Sequence, residues 1–269
     1  MIIIILQERG DNLKKIYSVL SILLLLFIFG NASGVQAINW YCKRVKDHSQ
    51  PPLGSDLTFC EKYDVFWCDK RHKDINDDEK VIYLTFDAGY ENGNVEKIVD
   101  ILNEEQVSGA FFILDNLIIK NKDLVQKMID SGHIVANHTL KHKDMTKTKS
   151  KEEFKKELED LETLYYQKTG NIMPKYYRPP EGKLNEKNLI WASELGYKTV
   201  MWSFAYADWD NDRQPQKELA LKKIIDNIHN GEVMLLHPTS KTNVLVLQDV
   251  IKELKNQGFR FGTLDELCK

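Results

Sequence analysis

The chain has 269 residues, 42% of them apolar, and sets 37 Lys and Arg against 40 Asp and Glu for a formal charge of −3. That near-neutral balance leaves no electrostatic footprint for a nucleic-acid partner. The length suits one large α/β domain or two small ones, with enough apolar residues for a sizeable core.

Residues 1–37 carry the pattern of a targeting segment. Lys14 and Lys15 precede an apolar run over residues 16–29, and small residues lead on to Val35, Gln36 and Ala37. A charged start, an apolar middle and a small-residue end resemble a secretory signal peptide. The run is short for a membrane span, and the apolar residues 2–6 are atypical of a signal, so an uncleaved anchor is the second reading. Either way the domain is expected outside the cytoplasmic membrane, with any membrane attachment confined to residues 1–37. Outside the cytoplasm Cys42, Cys60, Cys68 and Cys268 become candidates for disulfides, and four cysteines allow three full pairings. Their spacing matches no zinc motif. A bridge tying the chain's two ends and a set of free, partly buried thiols both stay open.

Residues 38–74 show little periodicity and read as an irregular arm, followed by a polar run up to Lys80. Trp40, Tyr41 and Trp67 in that arm are expected to anchor it rather than to bind a ligand. A rhythm begins at Val81. The run over residues 81–87 is a buried strand. Val95, Ile98, Val99 and Leu102 recur at helical spacing behind Asn94, a candidate N-cap. Residues 110–114 form a second strand, residues 115–121 a loop. A helix carrying Leu124, Val125, Met128 and Ile129 is closed by Gly132, and residues 134–137 are the third strand. Ser150 and Glu153 make a capping box for a helix that Gly170 ends. The fourth strand covers residues 176–178, and a helix from Asn185 stops at Gly196. The fifth strand covers residues 199–204. Pro215 opens a helix with Leu221, Ile224, Ile225 and Ile228 that Gly231 stops. Residues 233–236 are the sixth strand, a helix over residues 242–257 is closed by Gly258, and residues 259–264 end the series. Strand and helix alternate throughout, which predicts a parallel sheet, open or closed.

Polar residues collect at the strands' C-terminal ends. Asp87 ends the first, His138 the third with His142 four residues on, and Arg178 the fourth. Asp208 and Trp209 follow the fifth, and His237 ends the sixth. In a parallel barrel that rim is where catalytic groups gather. Each residue has a plainer reading as well: Asp87 as an N-cap or Asx turn, Arg178 as a structural ion pair, the histidines as unpaired surface groups. On a helical turn His138 and His142 would share a face and could grip one metal. Arg178 could orient a carboxylate by a bidentate bond, and Asp208 could hold His237 in one tautomer and favour its charge. Trp209 and Leu235 could line a small pocket. His133 and His229 lie at the opposite end and read as structural; His48 and His72 have no evident role.

Five ordered motifs, TFDAG at 85–89, HTLKH at 138–142, RPPEG at 178–182, ADW at 207–209 and LLH at 235–237, resemble those of the polysaccharide deacetylases of NodB type. The resemblance covers residues 75–267. TFDAGYENG together with the aromatic arm is similar to the delta-lactam-biosynthetic de-N-acetylases of spore-forming bacteria. It implies a distorted (β/α)₇ barrel over residues 75–269 and metal-assisted removal of N-acetyl groups from a glycan. It further implies Asp87 as general base, His237 as general acid tuned by Asp208, and Arg178 as the group orienting Asp87. His138 and His142 would hold the metal, with Asp87 a further candidate ligand. Trp209 and Leu235 would cup the acetyl methyl, and Pro180 and Glu181 fall in the substrate-binding loop.

The metal implied is a divalent cation, zinc first, with manganese and cobalt as others that fit the donors. Two positions depart from the common pattern. Ala88 stands where a second Asp ligates the metal, so weaker binding is expected, and Ala205 replaces the first Asp of the fourth motif. The substrate implied is peptidoglycan, at N-acetylmuramic acid lacking its peptide, on the way to muramic delta-lactam in spore cortex. The implied location is the cell wall or forespore envelope. Two other readings are a deacetylase of N-acetylglucosamine or chitin-like chains and a catalytically silent cell-wall glycan-binding protein. Residues 115–121 and 206–215 are expected to set substrate choice.

Overall fold

A computed structural model of the chain describes residues 36–269. The targeting segment read over residues 1–37 lies, but for its last two residues, outside them. The described chain opens with two short strands, β1 (Ile38–Asn39) and β2 (Val65–Phe66), before β3 (Lys80–Ala88). Residues 81–86 of β3 are buried on both faces, as the centre of a parallel sheet covered by helices requires. Helix α1 (Val95–Glu104) leads to β4 (Ala110–Ile113), and α2 (Asp115–Lys120) and α3 (Lys122–Asp130) lead to β5 (Ile134–Asn137). Then come α4 (Lys151–Thr169), β6 (Tyr176–Tyr177), β7 (Lys183–Leu184), α5 (Glu186–Glu194) and β8 (Lys198–Val200). The chain closes with β9 (Phe204–Ala205), α6 (Lys217–Ile225), β10 (Glu232–Leu236), α7 (Lys241–Asn256), β11 (Phe259–Phe261) and α8 (Leu264–Leu267).

Strands pair in the order β2-β8-β6-β5-β4-β3-β10-β9, with β11 beside the start of β3. The ladders are parallel. The single strand expected over residues 199–204 is in fact two. β8 pairs with β2 and β6 on one side of the sheet, whereas β9 pairs with β10 on the other. Residues 201–203 cross between them: Met201 N–H bonds Phe66 O at 2.8 Å and Ser203 N–H bonds Val233 O at 3.0 Å. One short segment thus answers to partners on both sides, and it curls the parallel sheet that the alternation of elements predicts into the distorted barrel that the resemblance implies.

Several local expectations hold for the stated reason, and others give way to tertiary contacts. The glycines at helix ends adopt the left-handed conformation; at Gly196 (φ +80) nothing lies within 4 Å of an added Cβ, so backbone conformation alone demands glycine there. Gly231 (φ +72) adds a steric demand, since its Cβ would sit 2.5 Å from Asp69 O. Ser150 Oγ accepts from Glu153 N–H at 3.2 Å, while Glu153 turns to Lys149 N–H rather than to Ser150. Asn94 does not cap α1. Its amide donates instead to Thr239 O at 2.9 Å, and Glu91 takes the Glu96 N–H at 2.9 Å. Residues 115–121, expected as a loop, are mostly helix α2, because Leu117 and Ile118 find a buried place in the main core.

The arm is more regular than its composition suggests. β1 pairs antiparallel with β7, β2 extends the barrel sheet, and Cys68 bridges to Glu232. Trp40, Leu57, Cys60, Val65 and Trp67 share a buried cluster with Leu184, Leu189 and Met201 of the barrel. All four cysteines are free thiols. Cys268 packs in a different cluster, with Val81 and Tyr83. Burial pushes the thiols up to about 12, which keeps them protonated and inert.

Candidate active site

The ladders set the level at which each functional side chain leaves the sheet. Ala88 pairs with Ile113, Ile113 with Asn137, and Asn137 with Tyr177, while Phe86 pairs with Leu236. His138 and Arg178 are therefore the first residues past the level of Ala88, and His237 the first past the level of Phe86, so all three leave the sheet within a residue or two of Asp87. A cleft of about 690 Å³ opens on this rim. Asp87, His138, His142 and His237 line it together with Trp209 and Leu235.

Arg178 lies under the cleft, fully buried. It holds Asp87 through one N–H rather than two: Nη1 donates to Asp87 Oδ1 at 2.8 Å. Its other donors are taken by Val200 O at 2.9 Å, Thr85 Oγ1 at 2.9 Å and Met201 O at 3.2 Å. The guanidinium also sits 4.2 Å from the centre of the Phe112 ring. A bidentate grip would cost those backbone bonds. Burial by itself would push the Asp87 carboxyl up, but the nearby charges, Arg178 above all, outweigh it and hold the group below the usual carboxylate range.

His138 Nδ1 meets Arg178 O at 2.9 Å. A carbonyl only accepts, so Nδ1 carries the proton and Nε2 is left with its lone pair, 3.6 Å from Asp87 Oδ2. Burial pulls this histidine down to about 4, so it is neutral at physiological pH. The His142 ring centre lies 5.0 Å from that of His138. No helical turn brings them together. Thr139 (φ +70) and His142 (φ +55) both adopt the left-handed conformation, and the loop folds back on itself. For a buried β-branched residue such as Thr139 that conformation is a genuine strain. Asn137 Oδ1 helps to hold it by accepting from Thr139 N–H at 2.8 Å.

On the facing side Asp208, fully buried, accepts from His237 Nδ1 at 2.7 Å and from the His237 backbone N–H at 2.8 Å. Burial disfavours the imidazolium, but the bond to Asp208 and its charge more than offset this and raise His237 above the ordinary histidine value. A third donor to Asp208, Asn243 Nδ2 at 2.6 Å, was not anticipated from sequence, and it also bonds His237 O at 2.9 Å. A signal was there: Asn243 falls on the same face of α7 as Val246, Leu247 and Val250, where an apolar residue would be expected.

The remaining expected site residues divide. Leu235 is buried against the cleft, while Trp209 is 60% exposed with its ring 6.1 Å from that of His237. Glu181 lines the cleft at φ +57, but its carboxylate is paired with Lys183 at 2.6 Å. Pro180 is buried and does not line the cleft, because the turn at Glu181 sets it behind the wall. His133 and His229 are buried away from the rim, as expected. Trp40 and Trp202 also line the cleft; the arm was expected to supply anchors only.

The donor chemistry fits a divalent cation. His138 has its tautomer fixed by a backbone carbonyl, which is how metal-binding imidazoles are oriented, and its free Nε2 faces a carboxylate and a second imidazole. The set is loose. Among the described residues, the trio whose donor atoms all lie within 4.8 Å of one another is His72, Glu79 and Glu266, near the start of β3. There Arg260 pairs with both carboxylates.

A parallel barrel with a carboxylate–arginine pair and a histidine–carboxylate pair facing across one cleft defines the class, and comparison places it: the chain belongs to the polysaccharide deacetylase family. The family's sequence profile, described as polysaccharide deacetylase, matches residues 74–200. Over 233 residues the chain is 39% identical to the peptidoglycan-N-acetylmuramic acid deacetylase PdaA of Bacillus subtilis (strain 168), covering 86% of each. The solved structure of that protein, a family 4 carbohydrate esterase, superposes with a TM-score of 0.79 over 86% of this chain and 97% of the other. A family 4 carbohydrate esterase from Bacillus anthracis is 34% identical with a TM-score of 0.70, over 88% of this chain and 98% of the other. A peptidoglycan-N-acetylglucosamine deacetylase of Bacillus cereus is 29% identical over 73% of this chain and 92% of its own length.

Proposed function

We propose that the protein hydrolyses the N-acetyl group of N-acetylmuramic acid in peptidoglycan whose peptide has been removed. The observation that carries this reading is a pair of groups held in opposite protonation states across one cleft. Arg178 favours the ionised form of Asp87, and Asp208 favours the protonated form of His237. Asp87 takes a proton from the attacking water. The water oxygen bonds the acetyl carbon, and the tetrahedral centre then breaks its bond to nitrogen. Because His237 Nδ1 is committed to Asp208, its Nε2–H is the proton delivered to the leaving amine, which is otherwise too basic to depart. The products are acetate and a free amino group on the sugar.

Enzymes of this family are generally metal-dependent. Here His138 Nε2, His142 and the Asp87 carboxylate are the residues that would hold the cation, zinc by the donor types, with manganese and cobalt as alternatives. When bound it would polarise the acetyl carbonyl and acidify the water. Leu235 and Trp209 frame the space for the acetyl methyl. Pro180 supports the turn that brings Glu181 to the wall.

The muramic acid assignment rests on the relative with which this chain shares 39% identity. The amine so freed is placed to close a lactam with the lactyl carboxylate, which suits spore cortex. Export fits a wall substrate, with residues 1–37 as signal or anchor. The test is incubation of the purified protein, with and without zinc or manganese, with peptidoglycan, followed by digestion and muropeptide mass analysis. The expected result is acetyl loss from peptide-free muramic acid that is absent in Asp87→Asn. Loss from glucosamine instead would keep the chemistry and overturn the substrate. No loss under any condition would leave a silent glycan binder.

A further inference from the structure

We infer that Trp40, delivered by the N-terminal arm, is a specificity-determining residue of the cleft: a fixed apolar wall against which the sugar packs. The inference rests on the glycan reading above and deepens it.

Among the described residues lining the cleft, Trp40 alone comes from the arm. Three contacts fix it there. Its indole Nε1–H donates to Trp202 O at 2.8 Å, its backbone N–H donates to Gly182 O at 2.8 Å, and β1 just before it pairs with β7 just after Gly182. Gly182 interlocks with both tryptophans. A Cβ there would lie 2.7 Å from Trp202 Cη2 and 3.0 Å from Trp40 Cβ, at φ +65. Trp40, Gly182 and Trp202 thus form one unit beside the catalytic groups.

The chemistry of this wall follows from what is already spent. With its Nε1–H bonded to Trp202 O, the Trp40 side chain has no hydrogen-bond donor left for a ligand and offers apolar ring. A pyranose ring carries C–H groups on its faces, and a rigid aromatic surface is a fitting partner at small entropic cost. No Lys or Arg is among the described residues lining the cleft. Grip on the sugar must therefore come from the cleft's aromatic side chains, Trp40 among them, and from polar groups other than lysine or arginine.

Burial alone does not explain Trp40. Trp67 is an internal comparison: it is equally buried, it lies in the same cluster with its ring 6.0 Å from Trp40, and it does not line the cleft. A residue needed only to hold the arm would behave as Trp67 does. A wall for the substrate would instead contribute binding that is the same in ground and transition states, which appears in KM and not in kcat.

The experiment compares Trp40→Leu, Trp40→Phe and Trp67→Leu with the parent in the full chain, below the melting temperature of each. Acetate release from peptide-free glycan strands gives kcat and KM. Calorimetric titration of the same strands into each protein carrying Asp87→Asn gives Kd without turnover. The expected result for Trp40→Leu is a rise in KM and Kd of about tenfold or more with kcat within about threefold. Trp40→Phe should lie between, and it carries the test if Trp40→Leu fails to fold. Trp67→Leu should lower the melting temperature and leave KM within about twofold. Trp40 variants that match the parent in KM and Kd, or that shift them no further than Trp67→Leu does, would overturn the inference. A parent protein that releases no acetate overturns the deacetylase reading instead, and the titration still decides the role of Trp40.

Discussion

Replacing Asp208 by Asn tests the acid half of the site with almost no change in shape. Asp208 Oδ2 receives two donors, the His237 backbone N–H at 2.8 Å and Asn243 Nδ2 at 2.6 Å, and Oδ1 receives His237 Nδ1 at 2.7 Å. An asparagine must keep its oxygen toward the two donors, which turns its NH₂ toward His237 Nδ1. That nitrogen must then accept, so the imidazolium loses its partner and faces a donor. The Asp208 bond and charge are what raise His237 against the pull of burial, so the variant's imidazole should titrate below the ordinary histidine value. At neutral pH it would be a neutral donor and a poor acid. Loss of general acid catalysis is worth on the order of 10²–10⁴-fold in rate. The assay is acetate release against pH. In the parent the alkaline limb should lie above the ordinary histidine value and the acid limb below the ordinary carboxylate value. In Asp208→Asn the alkaline limb should move to lower pH, and the loss should shrink as pH falls toward the new value. An unmoved alkaline limb, or a loss under about tenfold at neutral pH, would refute the assignment of His237 as the acid.

Glu232 provides a prediction on stability. It is fully buried, it accepts one bond from His229 N–H at 3.2 Å, and burial pushes its carboxyl well above the ordinary value. The folded state therefore keeps a proton that the unfolded chain gives up near pH ~4.3. Stability from this group is complete below that pH and is lost as pH rises through the folded value. Thermal melts from about pH 5 to 9 should show the parent losing ground to Glu232→Gln as pH rises; parallel curves would exclude it. Ala88→Asp restores the carboxylate that the common family motif carries, and competition with a chelating dye should show tighter zinc binding than in the parent. Weaker binding in the variant would mean that Ala88 does not account for a loose site.

The rim was legible because a parallel sheet leaves little freedom. Once the apolar run ending at Asp87 is a strand and the others follow it in parallel, His138, Arg178 and His237 must emerge at one end. The pairs they form, Arg178 with Asp87 and His237 with Asp208, were anticipated; that Arg178 holds Asp87 through one N–H rather than two was not, since its other donors go to Val200, Thr85 and Met201, which only the folded sheet brings near. The meeting of His138 with His142 was anticipated on the wrong geometry. Spacing of four suggests a helix, whereas the loop spends two left-handed residues to do the same work, a choice no propensity favours. Asn243 could have been suspected as a polar residue on an apolar helix face.

Trp40 anchors the arm as expected, but its place in the cleft wall and the break within residues 199–204 were missed for a common reason. Each is decided by a partner far away in the chain, β7 for the arm and both sides of the sheet for the broken strand. The two meet at Trp202. Its carbonyl accepts from Trp40, its neighbours cross from one side of the barrel to the other, and its ring lies 5.6 Å from the guanidinium that holds Asp87. The segment that links the two sides of the curled sheet is thus the same one that seats the arm against the cleft. The arm is consequently part of the active site's construction, and a change in its packing should be felt in glycan binding before it is felt in the chemistry.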